Sequence, residues 1–158
     1  MQAGEVARPP VRVGYNATLQ DVRNALMRYN ISRVVVAGKD GKTAAGIITE
    51  KDIARFLYAD NSNRSLGDIG ASELLAGKRS LVTVARDAEL ARCSRVMVDN
   101  GISSLLVTDT GGAVEGIFTK TDLLDVYSKY YGGRATVGQY MTSNVMTVEQ
   151  DEPVHTAL

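Results

Sequence analysis

Apolar side chains recur at helical spacing in Leu19, Val22, Leu26 and Tyr29, and Leu90, Cys93, Met97 and Asn100 hold the matching places about seventy residues on. Each stretch follows a short apolar run, 11–13 or 81–84, that reads as a strand, and a candidate helix cap, Asn16 or Asp87. Two β-branched runs come next: 33–36 and 44–48 joined by GKDGKT, then 104–108 and 113–118 joined by DTGG. Glycine in both joins predicts hairpins. A second helix is expected from Thr49 and from Thr119, turning Ile53, Phe56 and Leu57, or Leu123, Leu124, Val126 and Tyr127, toward a core. The order is strand, helix, strand, strand, helix, given twice, and the predicted class is α+β.

The recurrence extends to identity. Residues 11–53 align with 82–123 at an offset of 71 that drops to 70 across the hairpin turn, with pairs such as Val13/Val84, Leu19/Leu90, Val36/Val107 and Ile47/Ile117. Cys93 aligns with Val22, so it reads as a small core hydrophobe rather than a reactive thiol. A third copy is expected to begin near Val137, with Asp151 as cap before Pro153, and Leu158 falls inside that unit. A lone piece of a repeat seldom buries its apolar face, so 137–158 should pack on the other copies, on a second chain or on further residues of a longer array. The expected boundaries are 3–60 for the first repeat, 61–78 for a linker, 79–131 for the second and 137–158 for the partial third. The stretch 60–78, polar at first and helix-like at its end, reads as a surface loop with a short extra helix, or else as a lid over a pocket.

Composition narrows the function classes. The 158 residues are 44% apolar, enough for a real core, and 18 Lys+Arg balance 18 Asp+Glu. A net charge of zero with no basic run argues against sequence-independent nucleic-acid binding. One Cys and one His supply neither a disulfide framework nor a structural zinc site, and a reducing, cytoplasmic setting is expected. The apolar runs are shorter than a membrane span, and MQAGEVARPP lacks the apolar region of a signal peptide, so neither membrane binding nor processing is expected.

The chemistry concentrates where a strand turns into a helix. Gly46-Ile47-Ile48-Thr49-Glu50-Lys51-Asp52 recurs as Gly116-Ile117-Phe118-Thr119-Lys120-Thr121-Asp122. A hydroxyl and the unpaired N–H groups of a first helical turn suit a phosphate, an ionised Asp suits a ribose diol, and Gly lets backbone approach a ligand closely. Thr-x-x-Asp at a helix start also suits a capping box that needs no ligand. Recurrence in register with Ile31-Ser32 and Ile102-Ser103 favours the binding reading, since a cap alone requires neither.

Three motifs, V-x-V-x-x-(N/D)-A-x-L, I-S-x-h-h-V and G-h-h-T-x-x-D with h apolar, resemble those of CBS domains, and their duplication resembles the tandem pair called a Bateman module. The resemblance implies a pseudo-twofold symmetric pair whose sheets pack together and leave two clefts for AMP, ADP, ATP or S-adenosylmethionine. It implies that Asp52 and Asp122 hold ribose, that Thr49 and Thr119 lie near ribose or phosphate, and that Lys51 and Thr121 touch phosphate. By the same resemblance Ile31, Ser32 and Arg33, with Ile102, Ser103 and Ser104, line the adenine pockets, and Gly46 and Gly116 give close approach. Arg33 and Lys51 stand where the second copy has Ser104 and Thr121, so the cleft near the first copy is expected to suit a polyphosphate better.

The function expected is a regulatory ligand sensor that acts on an attached or partner protein, and the resemblance implies homodimerisation through helices into a disc of four repeats. The alternative is a dimerisation scaffold whose Thr/Asp motifs are only caps. An enzyme is not expected, because no nucleophile–base pair or acid–base dyad recurs around the motifs and His155 lies outside both complete copies. The cluster Tyr127, Tyr130, Tyr131 before Gly132 reads as helix packing and a stop, or as a partner surface.

Overall fold

A computed structural model describes residues 1–60, 62–76, 81–130, 132–133, 135–153 and 156. Tyr131, His155 and the 77–78 end of the expected linker lie outside the described residues. The elements run α1 (Ala3–Val6), β1 (Arg12–Val13), α2 (Leu19–Tyr29), β2 (Arg33–Ala37), β3 (Ala44–Thr49), α3 (Glu50–Ala59), α4 (Ala71–Leu75), β4 (Thr83–Ala85), α5 (Leu90–Asp99), β5 (Ser104–Thr108), β6 (Val114–Thr119), α6 (Lys120–Tyr130) and α7 (Val137–Tyr140). The strand–helix–strand–strand–helix order appears twice, as the hydrophobic pattern predicts.

Two three-stranded sheets result, β1-β2-β3 and β4-β5-β6, with the first pair of strands parallel and the second antiparallel in each. Alternation along the central strands divides the interior. Val34 and Val36 face Leu19, Val22, Leu26 and Ile48 in one core, while Leu105 and Val107 face Cys93, Met97 and Phe118 in another. Val35 and Leu106 point the other way and meet Val114 between the sheets, which makes the two repeats one body. At one end of that seam Arg12 donates from Nη2 to the Val114 carbonyl and from Nη1 to the Lys42 carbonyl at 3.4 Å. Cys93 is buried, and burial pushes its thiol pKa up, in keeping with a core role.

Each core is closed by a short helical segment from outside its own strand–helix–strand–strand–helix unit. Ala3 of α1 is buried among Cys93, Met97 and Phe118, and its N–H donates to the Ala88 carbonyl at 2.8 Å. Ile69, Ala71 and Leu74 are buried in the first core, and the Ala71 N–H donates to Ala17 at 2.8 Å. The short extra helix expected near the end of the stretch 60–78 is present as α4, but Ala71 and Leu74 on it are buried rather than on the surface, and it completes the core over β3 and α2. Gly46 and Gly116 make this possible. A Cβ on Gly46 would run into the Leu75 side chain, and one on Gly116 would lie 2.8 Å from Ala7 Cβ. The close approach these glycines permit here is to protein.

Other expectations also change. The cap of α2 is Thr18, not Asn16: its Oγ accepts from the Asp21 N–H at 3.3 Å while Asp21 accepts from the Thr18 N–H at 2.9 Å. The Thr18 N–H and the Thr18 hydroxyl, both donating to its carboxylate, hold Asp21 below its ordinary pKa. Glu89, not Asp87, precedes α5, and its side chain makes no capping bond. Leu57, Leu124 and Tyr127 are exposed, as are Tyr29 and Tyr130, because α2 with α3 and α5 with α6 cover only one face of each sheet. The described residues of 135–153 are all exposed, so the expected third copy packs on neither repeat, and Asp151 lies in a turn. Its α7 nevertheless reproduces the start of α1 and α4: the N–H of Thr136, Gln2 or Gly70 donates to the side chain three residues on at 2.8, 2.9 and 2.9 Å.

Glycine at 116 is under a tighter constraint than glycine at 46, because Ala7 can retreat only by moving backbone whereas Leu75 can change rotamer. Gly116→Ala is expected to cost roughly 1–3 kcal/mol in urea unfolding and Gly46→Ala less. Equal costs would show that the two segments yield alike.

Candidate functional site

Strand register gathers each set of motif residues at one end of its sheet. Arg33 pairs with Thr49 across β2–β3, and Ser104 with Thr119 across β5–β6. One step earlier the Ser32 carbonyl accepts from the Glu50 N–H at 3.2 Å and the Ser103 carbonyl from the Lys120 N–H at 3.0 Å. The I-S and T-x-x-D motifs, separate in sequence, thus become neighbours in both repeats.

Both Thr/Asp pairs form capping boxes. Asp52 Oδ2 accepts from the Thr49 N–H at 2.8 Å and the Thr49 hydroxyl at 2.7 Å, while Thr49 Oγ accepts from the Asp52 N–H at 3.2 Å. Asp122 Oδ2 accepts from the Thr119 N–H and hydroxyl, both at 2.8 Å, and its own N–H donates back at 3.4 Å. Each box satisfies two otherwise unpaired donors of a first helical turn. Lys51 and Thr121 are exposed on these same turns.

Packing of the two sheets carries Arg33 across the seam. Its Nη1 donates to Ser103 Oγ at 3.1 Å and its Nη2 to Ser32 Oγ at 3.3 Å. Half-burial lowers the Arg33 pKa, and the Asp122 charge pulls it back up. The start of β2 thus meets the start of β5, and the Arg33 cation, while bonded to Ser32 of its own repeat, also reaches Ser103 and feels the Asp122 charge. Ile31 and Ile102 are partly buried and pack against the cores of their own repeats. Beside the first repeat, Ile31, Ser32 and Glu50 line a pocket of about 550 Å³ with Leu26, Met27 and Asn30.

Sequence reasoning missed Arg8. Its Nη2 lies 3.2 Å from Asp122 Oδ1 and 4.0 Å from Asp125 Oδ2. Nothing in the local sequence marks Arg8, since its place depends on the pairing of Arg8 with Ile117, whose N–H and carbonyl both bond to it at 2.9 Å. The resulting cluster of carboxylate, hydroxyls and two guanidiniums can bind a polar ligand by hydrogen bonds and charge.

The CBS domain family model matches residues 3–59 and 71–129. The chain belongs to the CBS domain family. It is similar to the uncharacterized protein MK0525 of Methanopyrus kandleri, 29% identical over 127 residues, which are 80% of this chain and 62% of that protein. It is also similar to inosine-5'-monophosphate dehydrogenase of Chlorobaculum parvum, 25% identical over 122 residues, covering 75% of this chain and 23% of the enzyme. The chain thus spans less than two thirds of the length of these relatives. Among solved structures, the CBS domain protein PAE2072 from Pyrobaculum aerophilum, complexed with AMP, superposes with a TM-score of 0.68 at 21% identity, over 81% of this chain and 99% of that one. The CBS domain pair of protein MJ0100, in complex with 5-methylthioadenosine and S-adenosyl-L-methionine, gives 0.66 at 22% identity, over 80% and 99%. The CBS pair fold is the one these likenesses share. Among the described residues no helix of this chain is long and apolar enough to cross a membrane.

Because the boxes are complete in the protein alone, Thr119→Ala is expected to lower stability by about 1 kcal/mol with no ligand present, and Thr119→Ser by much less. Chemical denaturation of the two variants checks this.

Proposed function

We propose that this CBS pair is a regulatory module that binds an adenosine ligand and signals its occupancy to an attached or partner protein. The observation that carries the reading is the doubled convergence of an I-S strand start and a Thr-x-x-Asp box, with the Arg33 guanidinium reaching across the seam to the second of them. In this reading Asp52 and Asp122 accept from ribose hydroxyls, and Thr49, Thr119, Lys51 and Thr121 lie toward ribose or phosphate. Ser32, Ser103, Ser104 and Arg33, with the flanking Ile31 and Ile102, border the base and phosphates. Complexes of structural neighbours with AMP, and with 5-methylthioadenosine and S-adenosyl-L-methionine, support an adenosine compound as the ligand class; AMP, ADP, ATP and S-adenosylmethionine are the candidates here. No step of covalent chemistry is assigned to the pair. The ligand acts by favouring one arrangement of the two repeats, and only by as much as its affinities for the arrangements differ. We place the module in the cytoplasm, read its units as 3–60 and 79–131 joined by 61–78, and read 137–158 as the start of a further repeat.

Calorimetric titration with each of the four ligands tests the proposal. Saturable heat is expected, weakened at least tenfold by Asp52→Ala or Asp122→Ala at the affected site. No heat from any ligand, with an unshifted Tm at millimolar concentration, would leave the boxes as caps and favour the scaffold reading, since a ligand at 100 times its Kd stabilises by about 2.7 kcal/mol.

A homodimer is part of the proposal. Tyr58 and Met27 on α3 and α2, and Leu124 and Val98 on α6 and α5, are exposed at equivalent edges of the two repeats. The groove between α5 and α6, about 1020 Å³, is lined mostly by apolar side chains such as Leu123, Leu124 and Tyr127. Two such faces related by the internal pseudo-symmetry suit a second copy of the chain. Sedimentation velocity is expected to show a dimer that Leu124→Glu with Tyr58→Glu converts to monomer; an unmodified protein that sediments as a monomer at all concentrations would refute the pairing.

A further inference from the structure

Asp122 has two oxygens with different obligations. Oδ2 is committed to the Thr119 box, and Oδ1 meets the Arg8 guanidinium at 3.2 Å. The backbone of Arg8 is fixed by its two hydrogen bonds to Ile117, yet its side chain is 71% exposed, against 13% for Asp122. An ion pair so open on its cationic side adds little to stability and is easily exchanged for another partner. On the opposite flank Arg33 is bonded to two neutral hydroxyls, Ser32 and Ser103, and feels the Asp122 charge.

Two guanidiniums therefore share one inward-facing carboxylate. Oδ1 has two lone pairs, so a ribose whose two hydroxyls both donate to it leaves none for Arg8 and displaces the guanidinium. With an uncharged adenosine the displaced guanidinium loses its nearer anionic partner, and the exchange opposes binding. With a phosphorylated one, Arg8 exchanges a carboxylate for phosphate oxygens, which its planar fork can accept in bidentate fashion.

We propose that Arg8 is a specificity-determining residue of the Asp122 site, competing with uncharged adenosines for the carboxylate and, once displaced, binding the phosphates of a nucleoside di- or triphosphate together with Arg33. This rests on the nucleotide-binding reading above and adds the ligand class. It also predicts effects of opposite sign for two ligands, which a residue that merely holds the chain in place would not produce.

The test uses the full chain in an Asp52→Ala background, so that heats report the Asp122 site, with magnesium-free ATP and uncharged adenosine as probes. Adenosine affinity is read by competition against ATP. Arg8→Met, which keeps the stem and the backbone pairing, is expected to weaken ATP about tenfold and to strengthen adenosine several-fold, with Arg8→Lys in between for ATP. Arg33→Met is expected to weaken ATP without strengthening adenosine. Equal losses for both probes in Arg8→Met, or no change in either, would overturn the proposal. Should Arg8→Met fail to fold, Arg8→Gln gives the same comparison. Absence of ATP binding in the background protein, or ATP binding that survives Asp122→Ala, would overturn this inference alone, whereas no heat from any of the four candidate ligands would refute the adenosine-ligand reading and this inference with it.

Discussion

The seating of short helical segments from outside each unit, α4 on the first and α1 on the second, is the contact on which the rest of the molecule depends. A three-stranded sheet with two helices on one side leaves apolar residues uncovered near the first helix, and neither unit covers them with its own five elements. Ala71 and Leu74 close the first core and Ala3 the second. Small side chains are required at the crossing because the incoming segment lies directly on a strand, which is why both strands carry glycine there. Burial of these segments, together with Val35 and Leu106 in the seam, sets the relative position of the two sheets.

That position decides the electrostatics of the site. Once α1 is seated, the residues after it run beside β6 and bring Arg8 to Asp122. Once the sheets are apposed, Arg33 lies beside Ser103 rather than remaining a property of its own repeat. Two repeats that resemble each other closely in sequence therefore differ in the charges they gather, and the difference comes from placement as much as from composition.

What the sequence discloses about this protein follows the range of each interaction. Helical spacing, hairpin turns and Thr-x-x-Asp boxes are complete within a few residues, so Leu19–Val22–Leu26 and both boxes are found where the pattern puts them. The paired motifs also register correctly, since β2–β3 and β5–β6 are hairpins. The misplaced cap of α2 is a local ambiguity: Asn16 and Thr18 are both good cap residues, and only the reciprocal bond to Asp21 selects Thr18. Contacts across the seam leave no such trace. Arg33 looks like a residue of the first site, Arg8 like a surface charge, and Gly46 and Gly116 like openings for a ligand, until these segments are in place. Outward-facing Leu124 and Tyr127 deceive for a related reason, because periodicity marks an apolar stripe without saying whether this chain covers it.

The crossing of α1 onto the second half has a bearing on synthesis. A ribosome delivers the chain from its N-terminus at roughly 5–20 residues per second, so Ala3 emerges long before Phe118, the largest side chain it is buried with. For several seconds the first eight residues have no surface to join, while α2, β2 and β3 wait only for α4. The nascent protein is thus obliged to assemble its halves in unequal order, and its opening segment is among the last parts to be locked.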